Sequence, residues 1–280
     1  MSRNRWLLAG AATALVLLGG LAHGERPATL KASVVKPSPK AGILPVSIAV
    51  RPPDGPQPSA RVAVATAPVA VRYTFDGGVG RPITDLHGLH ELRPVGQNGG
   101  LLRLVPQGLG LAVAFPDRCR LARERDCPRV ILEGVRDDSL NPGTRELWYG
   151  ASVRLSHADL ADGANVVQKG YSVGGMGQFK LQVDHRLGHP SCVIATGRRR
   201  IFRAEPWFDV ADGRWHSLGC ARIGDRLTLS VDGVERASAR IPAELSIANP
   251  EPLRIGGKGL SNGNDQFAGE LDNVFITIGS

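Results

Sequence analysis

The sequence has no CxxC pair, no HExxH string and, past its first two dozen residues, no apolar run long enough to cross a bilayer. The first two absences argue against a thiolate metal site and a helix-borne metalloprotease centre, since both need closely spaced ligands. The third leaves the N-terminus as the one stretch that a membrane could hold. Runs of strong helix formers are also few, whereas glycine (35) and proline (20) are plentiful. That balance favours short strands joined by many turns. At 280 residues, with 42% hydrophobic and 21% charged side chains, the chain can still fill a sizeable core.

Arg3 and Arg5 precede the apolar run Trp6–Leu21, and Ala22-His23-Gly24 then offers small residues at the two positions a signal peptidase reads. Residues 1–24 therefore read as a cleaved export signal. A retained anchor is the alternative, but the run is short against the roughly 20 residues of a full span, and Gly19 and Gly20 dilute it. No cysteine follows the run, which excludes a lipoprotein anchor at that point. Cleavage removes two arginines and no acid, so the formal charge of +8 less 2 becomes +6. This modest excess gives only a weak preference for anionic surfaces, and a composition biased towards Ala, Arg and Gly accounts for it better. Residues 25–67 are rich in Pro, Ala and Val. Pro37, Pro39, Pro52, Pro53, Pro56 and Pro58 interrupt helix and central strand alike, so this segment reads as an extended tether. Within it, Ile43–Val50 could add one edge strand.

From residue 68 onward the texture changes to alternating apolar and polar residues punctuated by Gly, Asp, Asn and Pro. Phe179, Leu181 and Val183 alternate with Lys180, Gln182 and Asp184. Leu227, Leu229 and Val231 alternate with Thr228, Ser230 and Asp232, and Asp232-Gly233 then supplies a hairpin turn. Further strands are expected at 69–75, 109–115, 130–135, 147–155, 193–196, 215–222, 253–256 and 267–278. A capping-box string at Ser156–Asp159 is the one hint of helix, and Gly163 stops it. Ten or so strands with almost no helix mean an all-β, two-sheet antiparallel sandwich over 68–280. The four cysteines of an exported chain are expected to form two disulfides. Pairing neighbours, Cys119–Cys127 closes a short charged loop and Cys192–Cys220 cross-links two strands, contributing roughly 2.5 and 3.5 kcal/mol in the chain-entropy model.

Asp212-Gly213-Arg214-Trp215-His216-Ser217-Leu218, followed by Leu227–Gly233, resembles the D-G-x-W-H-x-[IVL] … L-x-[IV]-D-G hairpin of laminin-G-like domains. Leu253–Gly257 and then Phe267-Ala268-Gly269-Glu270-Leu271-Asp272-Asn273-Val274 resemble the ending of the same family, and Tyr73–Gly77 its opening strand. The resemblance, to the laminin-G-like and concanavalin-A-like lectin/glucanase domains, implies a jelly-roll sandwich whose first and last strands lie side by side. It fixes no single function. It also implies a structural Ca²⁺ held by Asp76 and Asp272, with Asp265 and Asn264 as secondary candidates, since Ca²⁺ needs hard oxygen ligands. The alternative is that Asp76 and Asp272 hydrogen-bond turn amides. Trp215 begins a strand and its indole is large enough to plug the space between the sheets, which would turn His216 towards the surface, and Gly256 and Gly269 are expected at bends or close backbone approaches.

Two catalytic-looking strings fail on context. Gly259-Leu260-Ser261-Asn262-Gly263 matches a nucleophile elbow, but loop and strand follow it where a helix is required. Glu270 and Asp272 match two carboxylates of a retaining-glycosidase strand on related jelly rolls, but Val274 and Phe275 stand where the third acid belongs. The histidines at 87, 90, 157, 185, 189 and 216 are scattered and lack a helix to pair them. The reading is therefore a secreted, non-catalytic binding module of the extracellular space or cell envelope, recognising a glycan. A protein-interaction or structural surface domain and a secreted hydrolase with an unrecognised site are the alternatives. Tyr171 and Trp207 are the candidate sugar-stacking rings, with core packing as the competing role of Trp207. Arg198, Arg199 and Arg200, with Arg203 and Arg222 near them, offer guanidinium forks to an acidic polysaccharide. The absence of interleaved aromatics argues against nucleic acid.

Overall fold

A computed structural model of the chain describes residues 67–80, 82–161, 163–174, 177–184, 187–197 and 200–279. The export signal at 1–24, the tether up to residue 66 with its Ile43–Val50 strand, and Arg198 and Arg199 lie outside the described residues. Two antiparallel sheets stack face to face in a jelly-roll-like sandwich. The first has the order β14 (Val234–Arg240), β13 (Arg226–Val231), β12 (Asp212–Ile223), β7 (Leu147–Ser156), β16 (Glu270–Ile278), β5 (Gly110–Ala114) and β4 (Arg103–Gln107). β1 (Val69–Tyr73) also pairs with β16, so the opening and closing strands are neighbours, with Val69 opposite Ile278. The second sheet has the order β11 (Ile201–Ala204), β10 (His189–Ala195), β9 (Gly177–Asp184), β8 (Ala164–Tyr171), β15 (Leu253–Ile255), β6 (Arg129–Gly134), β3 (Glu91–Gln97) and β2 (Ile83–Thr84). No helix among the described residues is long and apolar enough to cross a membrane.

The period-2 pattern places one face of each strand in a common core. Phe179, Leu181 and Val183 of β9 meet Tyr149 and Val153 of β7, Leu227, Leu229 and Val231 of β13, and Ile276 of β16, all completely buried. Tyr149 stacks at a tilt on Phe179 with ring centroids 5.0 Å apart. Both expected disulfides are present. Cys119–Cys127 closes its loop, and Cys192–Cys220 joins β10 of one sheet to β12 of the other across a Cα–Cα distance of 5.7 Å. Asp232 and Gly233 have φ of 53° and 78°, the paired positive angles of a type I′ hairpin. Gly256 (φ 82°) and Gly269 (φ 131°) sit at tight approaches: a Cβ on the first would collide with the Phe115 ring, and one on the second would lie 2.6 Å from the Arg154 carbonyl oxygen.

Three expectations need correction. Ser156–Asp159 is a turn, in which the Asp159 carboxylate accepts from both the Ser156 amide and its hydroxyl at 2.8 Å, closing the backbone on itself before a helix can start. Trp215 and His216 have exchanged faces. The unbroken pairing from Trp215 to Arg222 puts His216 inward with Leu218 and Cys220, and leaves Trp215 half-buried outside beneath the Arg154 guanidinium, 5.8 Å from its ring. Arg222 belongs to no surface cluster. It is fully buried and donates to the carbonyls of Arg145 (2.7 Å), Ala243 (2.9 Å) and Leu245 (2.9 Å).

Candidate functional site

Cross-strand partners share a face, so the register of the second sheet fixes what its outer side presents. One row runs Arg203, Val193, Lys180, Gln168, Arg254 and Glu133 across β11, β10, β9, β8, β15 and β6. A second row sets Ser191, Gln182 and Asn165 side by side, and His189 pairs with Asp184 beyond it. These are the polar positions of strands whose other face is core, yet Asn165, Gln168, Gln182, Asp184 and Ser191 are all buried. Buried polar groups must be satisfied by one another or by a ligand.

Most are satisfied. Asp184 accepts from the Ser191 hydroxyl at 2.5 Å and from the Gln182 amide, and pairs with Arg203 at 3.5 Å. Arg203 also reaches Glu205 at 3.2 Å. Arg254 is clamped by Glu133 at 2.7 Å and Glu251 at 3.1 Å. Asn165 donates to Gln168 at 2.5 Å, and Gln168 donates to the Gly170 carbonyl at 2.6 Å. Two groups stand out. The Asn165 Oδ1 is buried without a hydrogen-bond partner among the described residues. The Lys180 ammonium has its pKa lowered by burial, a direction that Asp265 and Asp184 oppose and that Lys258 and Arg203 reinforce.

Aromatic side chains flank this face. Trp207 is 92% exposed and meets the His189 ring edge-on at 5.6 Å, so it stands on the rim and takes no part in the core. Phe208, the next residue, instead packs against the core with Arg236 4.7 Å over its ring. Tyr171 ends β8 at the other side. Its hydroxyl donates to the Lys258 carbonyl at 2.9 Å and Arg254 lies 5.3 Å over its ring, so its polar tip and one face are already engaged. Arg200 is exposed and lies 5.6 Å over the Phe202 ring.

The carboxylates singled out for Ca²⁺ separate into two places. β16 gives Glu270 and Leu271 to β5 and Val274–Ile278 to β1, and at the changeover Asn273 takes a positive φ of 50°. Asp272 is buried there, with its oxygens accepting from the Asn273 amide (2.6 Å) and side chain (2.7 Å). Asp76 comes close on the turn after β1 and accepts from the Leu111 amide at 2.8 Å. Burial raises the Asp272 pKa, the Asn273 amide opposes this, and the Asp76 charge adds to it. Arg72 offsets part of this rise, and a cation between the two carboxylates would act in the same direction as Arg72. Among the described residues no group of three or more His, Cys, Asp or Glu gathers around a metal position, so a Ca²⁺ here would take its other oxygens from carbonyls and water. Asp265 and Asn264 lie elsewhere. Asp265 pairs with Lys258 at 3.1 Å, and Asn264 donates to the Gly259 carbonyl at 2.9 Å.

The architecture has known counterparts. No curated protein sequence matches the chain. Among solved structures, the binding domain of Paraclostridial Mosquitocidal Protein 1 superposes with a TM-score of 0.55 at 14% identity, covering 75% of this chain and 48% of that one. Domain 4 of AbnA, a GH43 extracellular arabinanase from Geobacillus stearothermophilus solved with arabinotriose, gives 0.55 at 13% identity over 75% and 91%. The binding domain of botulinum neurotoxin DC in complex with SialylT gives 0.51 at 9% identity over 74% and 46%. The chain thus spans about half the length of the toxin domains it matches. A family model described as the concanavalin A-like lectin/glucanases superfamily matches residues 134–277, from the end of β6 almost to the end of β16, and it is to this superfamily that the chain belongs.

Proposed function

We propose that this protein is a secreted, non-catalytic glycan-binding module, and that sugar is bound on the outer face of the second sheet. The observation that carries the reading is Trp207, an indole 92% exposed at the rim of a row of buried polar side chains. A large exposed ring beside fixed donors and acceptors is what a sugar needs, since each pyranose offers apolar C–H faces and a girdle of hydroxyls. Export agrees with the two disulfides and the absence of free cysteines among the described residues. Of the structures it resembles, domain 4 of AbnA was solved with arabinotriose, and the botulinum neurotoxin DC binding domain, of which about half is matched, with SialylT and with rat synaptotagmin II. The buried polar row favours sugar here. Asp76 and Asp272, with a Ca²⁺ between them, would serve this module structurally by pinning β1 and β5 to β16.

Trp207→Ala tests the reading. Because the ring is so exposed, its loss should move stability by no more than about 0.5 kcal/mol. A sugar covering about 60 Å² of indole is worth about 1.5 kcal/mol, or roughly tenfold in affinity. Affinity electrophoresis through a panel of plant, microbial and animal polysaccharides should show retardation that Trp207→Ala weakens by that factor. A folded wild-type protein retarded by none of them, or a variant retarded equally, would rule the site out.

A further inference from the structure

The charges on the outer face of the second sheet are matched unevenly. Arg203 and Arg254 each contact two carboxylates, and Lys258 holds Asp265 at 3.1 Å. Lys180 is different. Its side chain is only 14% exposed, and among the described residues its ammonium makes no hydrogen bond. The carboxylate oxygen within its ion-pair reach, Asp265 Oδ2, is 4.0 Å away and already bound by Lys258. Asp184, on the same strand, is taken up by Ser191, Gln182 and Arg203. An ammonium has three donors and no acceptor, and among the described residues none of the three is taken by a hydrogen bond. Leaving a mostly buried cation in that state is costly, and an incoming anion relieves the cost.

The surroundings define the shape of that anion's carrier. In the row through Lys180, Val193 gives an apolar floor on one side and Gln168 a polar wall on the other. In the adjacent row Asn165, Gln182 and Ser191 bring polar side chains and no second cation. One anionic group within reach of Lys180 would take up the hydrogen bonds that its ammonium does not make among the described residues.

We infer that this site selects an anionic sugar residue, a uronate or a sulfated hexose, with Lys180 as the residue that recognises the negative group. The inference rests on the glycan-binding reading and narrows it to a ligand class. Lys180→Met keeps the length of the side chain and removes the charge. Thermal melting should show this variant at least as stable as wild type, because a desolvated charge has been removed.

The test uses two matched pairs of polymers, polygalacturonate against its carboxyl-reduced form and dextran sulfate against dextran. Arg103→Met on β4 of the other sheet controls for the loss of one unit of surface charge; Arg103 is 68% exposed in its side chain. Wild type and Arg103→Met should bind the anionic member of at least one pair roughly 10- to 100-fold tighter than its neutral partner, the factor expected for hydrogen bonds to a charged group. Lys180→Met should bind both members alike, and the pair that responds identifies the anion as carboxylate or sulfate. Equal binding of charged and neutral polymers by wild type, or a preference that survives in Lys180→Met, overturns the inference while leaving glycan binding intact. Failure of all four polymers and of the wider polysaccharide panel would overturn both.

Discussion

Removing the two disulfides one at a time should give unequal losses, with the larger at Cys192–Cys220. The sequence separations are 28 and 8 residues, for which the chain-entropy model gives roughly 3.5 and 2.5 kcal/mol. The longer crosslink has a second component. Cys192 and Cys220 are almost wholly buried among core residues, so replacing both with alanine also deletes two packed sulfur atoms at about 1 kcal/mol each. Cys192→Ala/Cys220→Ala should therefore lose about 5 kcal/mol, a large part of the 5–15 kcal/mol typical of a domain. Cys119→Ala/Cys127→Ala should lose about 2.5 kcal/mol, because Cys119 is only partly buried and its loop touches little of the core. Urea unfolding followed by tryptophan fluorescence measures both, provided the slope stays constant between variants. Equal losses, or a greater loss from the short loop, would refute the argument that crosslinking the two sheets constrains the unfolded chain most and packs the core besides.

Calcium should raise the melting temperature of the wild-type protein, chelator should reverse the rise, and Asp272→Ala should abolish it by leaving the position under-coordinated. A wild-type curve that chelator leaves unmoved would reduce Asp76 and Asp272 to turn-stabilising carboxylates. Acid should destabilise the fold in a defined window. Backbone hydrogen bonds hold Asp85 below the usual carboxylate range against its burial; Asp232 is lowered mainly by its bond to His216, and Asp212 is lowered to about 2, chiefly by the Arg214 amide. Groups with depressed folded values contribute stability above their unfolded pKa and lose it as pH falls through the folded one, so urea midpoints should drop between about pH 4 and 2. Asp272, whose value is raised, acts in the opposite sense and blunts the upper part of that fall. A midpoint flat across the window would show that these bonds are equally available in the unfolded chain.

The elements legible in the sequence are those with local signatures. The Asp232-Gly233 turn, the alternation in β9 and β13, the closing strand β16 and both disulfides follow from spacing and turn chemistry alone. What escaped was set by partners far along the chain. β3, β4, β8 and β14 carry prolines, glycines or charges that blur the alternation, and neighbouring strands hold them in place. The exchange of Trp215 and His216 follows the alternation with Leu218 and Cys220, against which the size of the indole is the weaker guide. The ligand face shows the same limit. Lys180, Gln182 and Asp184 stand out in the sequence as the wet side of a strand, but only the pairing of β9 with β8 and β10 reveals that this side is itself enclosed. Trp207 carries no local pattern that separates an exposed indole from a buried one.

The pairing of Val69 with Ile278 has a consequence for how the domain can be mounted. Polypeptide entering β1 and polypeptide leaving β16 pass through one point on the first sheet, while the proposed ligand face is on the second. A spacer of any length, or a neighbouring domain fused at either strand end, can therefore join the molecule without crossing the surface that meets the ligand. The same geometry distinguishes two mechanical loads. Tension between the two strand ends opens the antiparallel pair one rung at a time, like a zip, whereas tension between a tether at Val69 and a captured polymer passes through the packed sandwich and its Cys192–Cys220 rivet. The domain is built to yield to the first pull and resist the second.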